Sequence, residues 1–167
     1  MPGSLGEPTV KKFINHVDHV AWLSRPENLD ANVSQLEKLT GTTLTRFARE
    51  DMGFTMCISW EAGLEIVAPM VERTEFNQWL WSELEKKGEG VTSVVFGVKN
   101  LDAHKARLEA LGFPVGELMD YHPDSPWHDK LVLWERIAGE AMNTNIILGD
   151  IDYADEVIPF GDAQRDA

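Results

Sequence analysis

Cysteine is almost missing from this chain. Cys57 stands alone among 167 residues, so no intrachain disulfide can form and neither zinc-knuckle nor CxxC chemistry is available. Such usage fits a reducing, cytoplasmic setting. Long apolar runs are missing too: none approaches the ~20 residues of a membrane-spanning helix. Residues 1–12 hold no apolar stretch of the signal-peptide kind, so secretion is not expected. Positive charge is scarce, with 15 Lys and Arg against 28 Asp and Glu and a net charge of -13. Lys11-Lys12 and Lys86-Lys87 are the paired lysines. Nucleic acid and anionic membranes, which are bound by clustered cations, are excluded as partners. The acidity itself reads as solubility.

What is present is ordinary globular material: 43% hydrophobic and 26% charged residues. A chain of this size can bury roughly 70% of its unfolded surface, so its core needs no staples.

The chain also repeats itself. Asn28-Leu29-Asp30-Ala31 is followed by Leu36-Glu37, Leu39 and Gly41. Asn100-Leu101-Asp102-Ala103 is followed by Leu108-Glu109, Leu111 and Gly112. The common frame, NLDA-x4-LE-x-L and then glycine, predicts an internal duplication. Each copy reads as a helix with its apolar stripe at helical spacing. Asp30 and Asp102 are the expected N-caps, and Gly41 and Gly112 the expected stops. A β-branched and aromatic strand precedes each helix, His16–Leu23 and Val91–Val98. Aligning the copies sets His19 opposite Ser93. Further strands are expected at Leu44–Phe47, Phe54–Trp60 and Leu64–Ala68, and again at Val115–Met119, Leu131–Trp134 and Asn145–Leu148. A helix over Glu75–Lys87 joins the halves. The fold class is therefore α+β: a first βαβββ module at 13–70, a linking helix at 71–90, a second module at 91–150, and an acidic tail at 151–167 that is flexible or covers an edge.

Three segments carry a resemblance. Asp18-His19-Val20-Ala21, Leu64-Glu65-Ile66-Val67-Ala68-Pro69 and Leu84-Glu85-Lys86-Lys87-Gly88-Glu89-Gly90-Val91 are similar to the vicinal oxygen chelate superfamily. It includes glyoxalase I, bleomycin resistance proteins, extradiol dioxygenases and methylmalonyl-CoA epimerase. The resemblance runs from about Phe13 to Asp150, with the epimerase-like subgroup nearest in pattern. It implies two βαβββ modules curled around a cleft, and commonly a homodimer.

The resemblance also implies metal chemistry, in which a divalent ion stabilises an enolate or related anion. Ligands come from the first and fourth strand of each module. His19 and Glu65 match in the first module and suit Zn, Fe, Co, Ni or Mn. The second module departs, with Ser93 in place of a histidine and Ile147 in place of a glutamate; Asn145 lies two residues earlier on the same face. The epimerase's second proton-shuttling glutamate, on the third strand, falls at Met56. Proton transfer between two carboxylates, and epimerisation of an acyl-CoA, are therefore not expected. Extradiol dioxygenase activity is disfavoured by the same missing ligands.

Glu65, flanked by Leu64 and Ile66, needs a partner if buried, and His19 is the expected one. The two form either half of a metal site or a metal-free acid/base dyad. Ser93 and Asn145 would position substrate oxygens, unless they mark simple loss of an ancestral site. Met56, Trp60 and Trp134 are candidate walls of a flat apolar pocket. His128, in the loop Tyr121–Lys130, is a candidate lining residue, whereas His122 reads as surface; Glu135, where the next strand ends, faces either solvent or the cleft. His104 also reads as surface, Trp22 as cover for a helix, and Cys57 as core. Two function classes follow. One is a lyase or isomerase acting on a small oxygenated, perhaps aromatic, metabolite, with one divalent metal or none. The other is a binding protein that sequesters a flat hydrophobic compound.

Overall fold

A computed structural model describes residues 16–119 and 122–154. The first three residues of the expected first module and positions 155–167 of the acidic tail lie outside the described residues. Seven strands form one curled mixed sheet, and three helices complete an α+β fold. The strands are β1 (His16–Leu23), β2 (Thr45–Arg49), β3 (Phe54–Ser59), β4 (Leu64–Pro69), β5 (Gly90–Gly97), β6 (Leu131–Ala141) and β7 (Thr144–Tyr153). The helices are α1 (Leu29–Thr40), α2 (Gln78–Lys87) and α3 (Leu101–Ala110). Among the described residues no helix is long and apolar enough to cross a membrane.

The strand order β2-β3-β4-β1-β5-β7-β6 shows the duplication directly. In each half the first strand lies parallel to the last and antiparallel to its counterpart. Register makes the equivalence residue-specific. His19 pairs with Val95 and Ala21 with Ser93. This is the pattern produced by a twofold that exchanges His19 with Ser93 and Ala21 with Val95. The same operation relates Glu65, paired with Ala21, to Ile147, paired with Val95. It also relates Met56, paired with Val67, to Glu135, paired with Gly149.

Helices α1 and α3 cover the outer face, and α2 covers part of the concave face. Leu29, with Trp22, Val33 and Leu36, packs over Leu44, Cys57, Ile66 and Ala68. Leu101 and Leu108 pack over Val98, Ala138 and Leu148. Leu80, Trp81 and Leu84 of α2 seat on Leu23, Phe54 and Val67. Full burial of such leucines contributes roughly 2 kcal/mol each.

Several expectations need correction. Val115–Met119 is not a strand: it makes one bridge, Leu118 to Arg136, and two flanking backbone bonds, Gly116 N–H to Ile137 O and Met119 N–H to Glu135 O. The second module thus has three strands, not four. Strand β7 continues through Tyr153, so the tail does not begin at 151. Asn28 and Asn100, not the aspartates, occupy the N-cap positions. Asn100 accepts from the Ala103 N–H. Helix α2 starts at Gln78 because Asn77 is engaged elsewhere. Its side chain accepts from Thr74 N–H and donates to the Gly53 and Glu72 carbonyls. His104 is buried rather than on the surface.

Candidate active site

The concave face of the sheet encloses a cavity of about 390 Å³. Strand alternation aims Phe54, Met56 and Trp60 into it from one half, and Leu133, Glu135 and Ile137 from the other. Trp79 and Leu80 of α2 line part of the wall. The loop before β6 supplies His122, Ser125 and Trp127. Trp127 makes edge contacts to Phe47 at 5.5 Å and to Trp60 at 5.6 Å. It thereby joins the two halves of the curled sheet.

His19 sits in the middle of this wall with 3% of its side chain exposed. A β-bulge makes its environment. Val17 pairs with Phe96 and His19 with Val95, which leaves Asp18 as the extra, unpaired residue. Simple alternation would send Asp18 to the opposite side from His19. The bulge instead lets the Asp18 carboxylate lie 2.8 Å from His19 Nδ1. The same Asp18 oxygen accepts from the Tyr153 hydroxyl at 2.7 Å. Gly63 enables this arrangement: it has φ 66°, and a Cβ there would stand 2.6 Å from the Asp18 carbonyl oxygen. The twofold counterpart of the bulge leaves out Thr92, between Ser93 and Val91, so the Asp18-His19 pair is replaced by Thr92-Ser93 in the second half.

Two carboxylates approach the other ring nitrogen. Glu65 Oε2 is 3.5 Å and Glu135 Oε1 is 3.8 Å from His19 Nε2. Burial raises the pKa of Glu65, and the neighbouring His19 only partly offsets this. Burial likewise pushes Glu135 up to about 7, again against His19 and with help from Glu65 and Asp18. For His19, burial opposes protonation. The hydrogen bond to Asp18 and the charges of Glu65, Glu135 and Asp18 outweigh it, so the pKa rises. Asp18 is opposed by burial as well, yet its bonds to His19, Tyr153 and His16 hold its pKa low. An ionised Asp18 fixes the proton of His19 on Nδ1, and burial beside it keeps the Tyr153 phenol neutral.

The cavity brings together His19, Glu65, Ser93, Asn145, Met56 and Trp60. Two expected lining residues are elsewhere. Trp134 is 52% exposed, because Leu133 and Glu135 take the inward positions on β6. His128 is exposed in its loop and bonds the Ser125 carbonyl oxygen; His122, expected at the surface, lines the cavity in its stead. Sequence reasoning missed Asp18 and Tyr153 as parts of the site, and it left Glu135 open between solvent and the cleft. Glu135 was findable: aligning the third strands of the two copies sets it opposite Met56. The carboxylate missing from one half is thus supplied by the twofold-related position of the other.

No protein-family model matches the chain, and no curated protein matches it. Solved structures do. The methylmalonyl-CoA epimerase of Mycobacterium tuberculosis superposes with a TM-score of 0.61 at 17% identity, covering 84% of this chain and 91% of that one. The Streptomyces coelicolor enzyme bound to 2-nitronate-propionyl-CoA gives 0.55 at 20% identity over 82% and 97%. A methylmalonyl-CoA epimerase bound to methylmalonyl-CoA and NH4+ gives 0.57 at 20% over 82% and 94%. The fold is that of these methylmalonyl-CoA epimerases. At this identity the likeness concerns the fold.

The residues do not fit the metal that fold implies. Of the four ligand positions, His19 and Glu65 carry strong donors, Ser93 a weak one and Ile147 none. Among the described residues no group of three His, Cys, Asp or Glu is arranged to hold a metal ion.

Proposed function

We propose that this protein is a metal-independent isomerase that moves a proton at a carbon next to a carbonyl. One observation carries the reading: two buried carboxylates of raised pKa flank a single imidazole that Asp18 holds from behind. Carboxyl groups pushed toward neutral pH can exchange protons with a carbon acid, whereas an ordinary surface glutamate is too weak a base.

Ionised Glu65 takes the proton as the C–H bond breaks, and the electron pair moves onto the carbonyl oxygen as an enolate. His19 is next to this charge, and Ser93 and Asn145 offer a hydroxyl and an amide to the oxygen. Glu135 in its protonated form returns a proton to the carbon. His19 Nε2, lying between the two carboxylates, then passes the proton from Glu65 back to Glu135 and restores the starting state. The present 3.5 and 3.8 Å separations must shorten with substrate bound, as such contacts commonly do.

The test is deuterium exchange. Carbonyl compounds incubated with the protein in D2O should gain deuterium at the α carbon, and Glu65→Gln should abolish this while leaving the fold intact by circular dichroism. Absence of exchange across a broad panel of carbonyl compounds would sink the reading.

The aromatic walls favour a second reading, a binder of flat hydrophobic molecules. Phe47, Phe54, Trp60, Trp79 and Trp127 surround the cavity. A ligand that co-purifies and is recovered chemically unchanged after prolonged incubation would support it.

A further inference from the structure

We infer that the cavity takes an uncharged, planar, oxygen-bearing ketone, and that it discriminates against carboxylates and anionic thioesters. The inference names the substrate class of the site proposed above and rests on that reading for the ketone.

Charge comes first. Glu65 and Glu135 flank the one imidazole at the reacting position, and Asp18 stands behind it. Arg49 is the one Lys or Arg among the described residues of the lining. Its guanidinium is held by both carboxylate oxygens of Asp51, at 2.9 and 2.8 Å. It is also 5.8 Å from the Phe54 ring centroid. The other imidazole of the lining, His122, accepts the Asp124 N–H on Nδ1, so an entering anion loses its water beside carboxylates and meets no uncommitted Lys or Arg. The surroundings do not compensate, since the whole chain carries a net charge of -13.

Shape comes second. The walls include flat rings and three flexible thioethers, Met52, Met56 and Met119. A cavity near 390 Å³ lies in the range that holds small ring compounds.

Unpaired polar atoms come third. Trp60 Nε1, Thr92 Oγ1 and Ser125 Oγ are buried without a hydrogen-bond partner, and all three residues line the cavity. Each can donate a proton, and buried donors are ordinarily satisfied. A pure hydrocarbon offers no acceptor to this wall, whereas a ligand carrying carbonyl or hydroxyl oxygens also meets the Ser93 hydroxyl and the Asn145 amide of the lining. Trp60 is also in edge contact with His19, at 5.2 Å between ring centroids, which puts this indole beside the acid/base cluster.

Three probes of matched size test the inference: β-tetralone, a neutral enolisable ketone; β-naphthoate, an anion; and β-naphthylmethylammonium, a cation. Binding is read from quenching of the cavity tryptophans. The tetralone should bind saturably, with a Kd at least about tenfold below that of the naphthoate. At about pH 8.5, where the Glu135 carboxyl is ionised, Glu135→Gln should narrow that gap by improving naphthoate binding. Equal or tighter binding of the naphthoate, tighter binding of the ammonium, or no binding of the tetralone overturns the inference. Deuterium exchange separates the two proposals. Tetralone bound without exchange refutes the isomerase reading alone, and exchange into compounds bound chiefly as anions refutes the substrate class alone.

Discussion

Replacing Glu135 with Gln should make the protein more stable above neutral pH while impairing its chemistry. Burial moves this carboxyl from an ordinary 4.5 up to about 7 in the folded state. Between those values the folded chain holds a proton that the unfolded chain has released, so stability falls as pH rises through the window. The amide of the variant has no proton to lose. For a shift of this size, ionised Glu135 costs the wild type roughly 3 kcal/mol at about pH 8, but under about 1 kcal/mol at about pH 5. The variant's advantage should therefore grow by roughly 2.5 kcal/mol between those conditions. Urea unfolding followed by tryptophan fluorescence at both pH values measures it, provided the slope with denaturant is unchanged. In the same variant, Glu65 should still catalyse α-proton exchange, while net inversion at the carbon, which needs the second donor, falls. An advantage that stays constant with pH, or one that shrinks as pH rises, would refute the assigned environment of Glu135.

Four further outcomes follow from the same geometry. Gly63→Ala places a Cβ against the Asp18 carbonyl at positive φ; it should cost roughly 2 kcal/mol in thermal unfolding and weaken α-proton exchange by displacing His19. Asn77→Ala removes a fully buried side chain that satisfies Thr74, Gly53 and Glu72 backbone groups. A loss of about 3 kcal/mol is expected in denaturant titration, and a loss near zero would mean that water replaces the amide. Exhaustive dialysis against a chelator should leave both unfolding temperature and exchange rate unchanged; a stoichiometric transition metal that disappears in Glu65→Ala would contradict the metal-independent mechanism. Trp134→Ser should leave ligand binding untouched, whereas Trp60→Ala should weaken it severalfold by fluorescence titration.

Much of the fold was legible because it rests on local periodicity and on repetition. The two NLDA helices, the strand before each and the twofold offset between His19 and Ser93 are all readable from residue order. The boundary errors have local causes that periodicity does not carry. Helix α2 begins late because Asn77 serves a neighbouring loop. Val115–Met119 makes one bridge and two flanking backbone bonds to β6 rather than a full strand. Of the site, His19 and Glu65 were nameable because they match the ligand positions that the resemblance implies, and Glu65 also because a carboxylate between Leu64 and Ile66 needs a partner. Trp134 was misplaced because its neighbours on β6 take the inward face, a choice that depends on which side of the sheet the core lies.

By itself the sequence determined the α+β class, the duplication and the excess of negative charge, since each is a property of order and composition. The tertiary structure alone decided that Asp18 stands behind His19, because a bulge in pairing with β5 overrides strand alternation there. It also decided that Glu135, 116 residues beyond His19 in the numbering, faces the same imidazole as Glu65. Curling the sheet brings strands from both halves around one cavity, and the pKa values of these carboxyls come from the water that this curvature excludes.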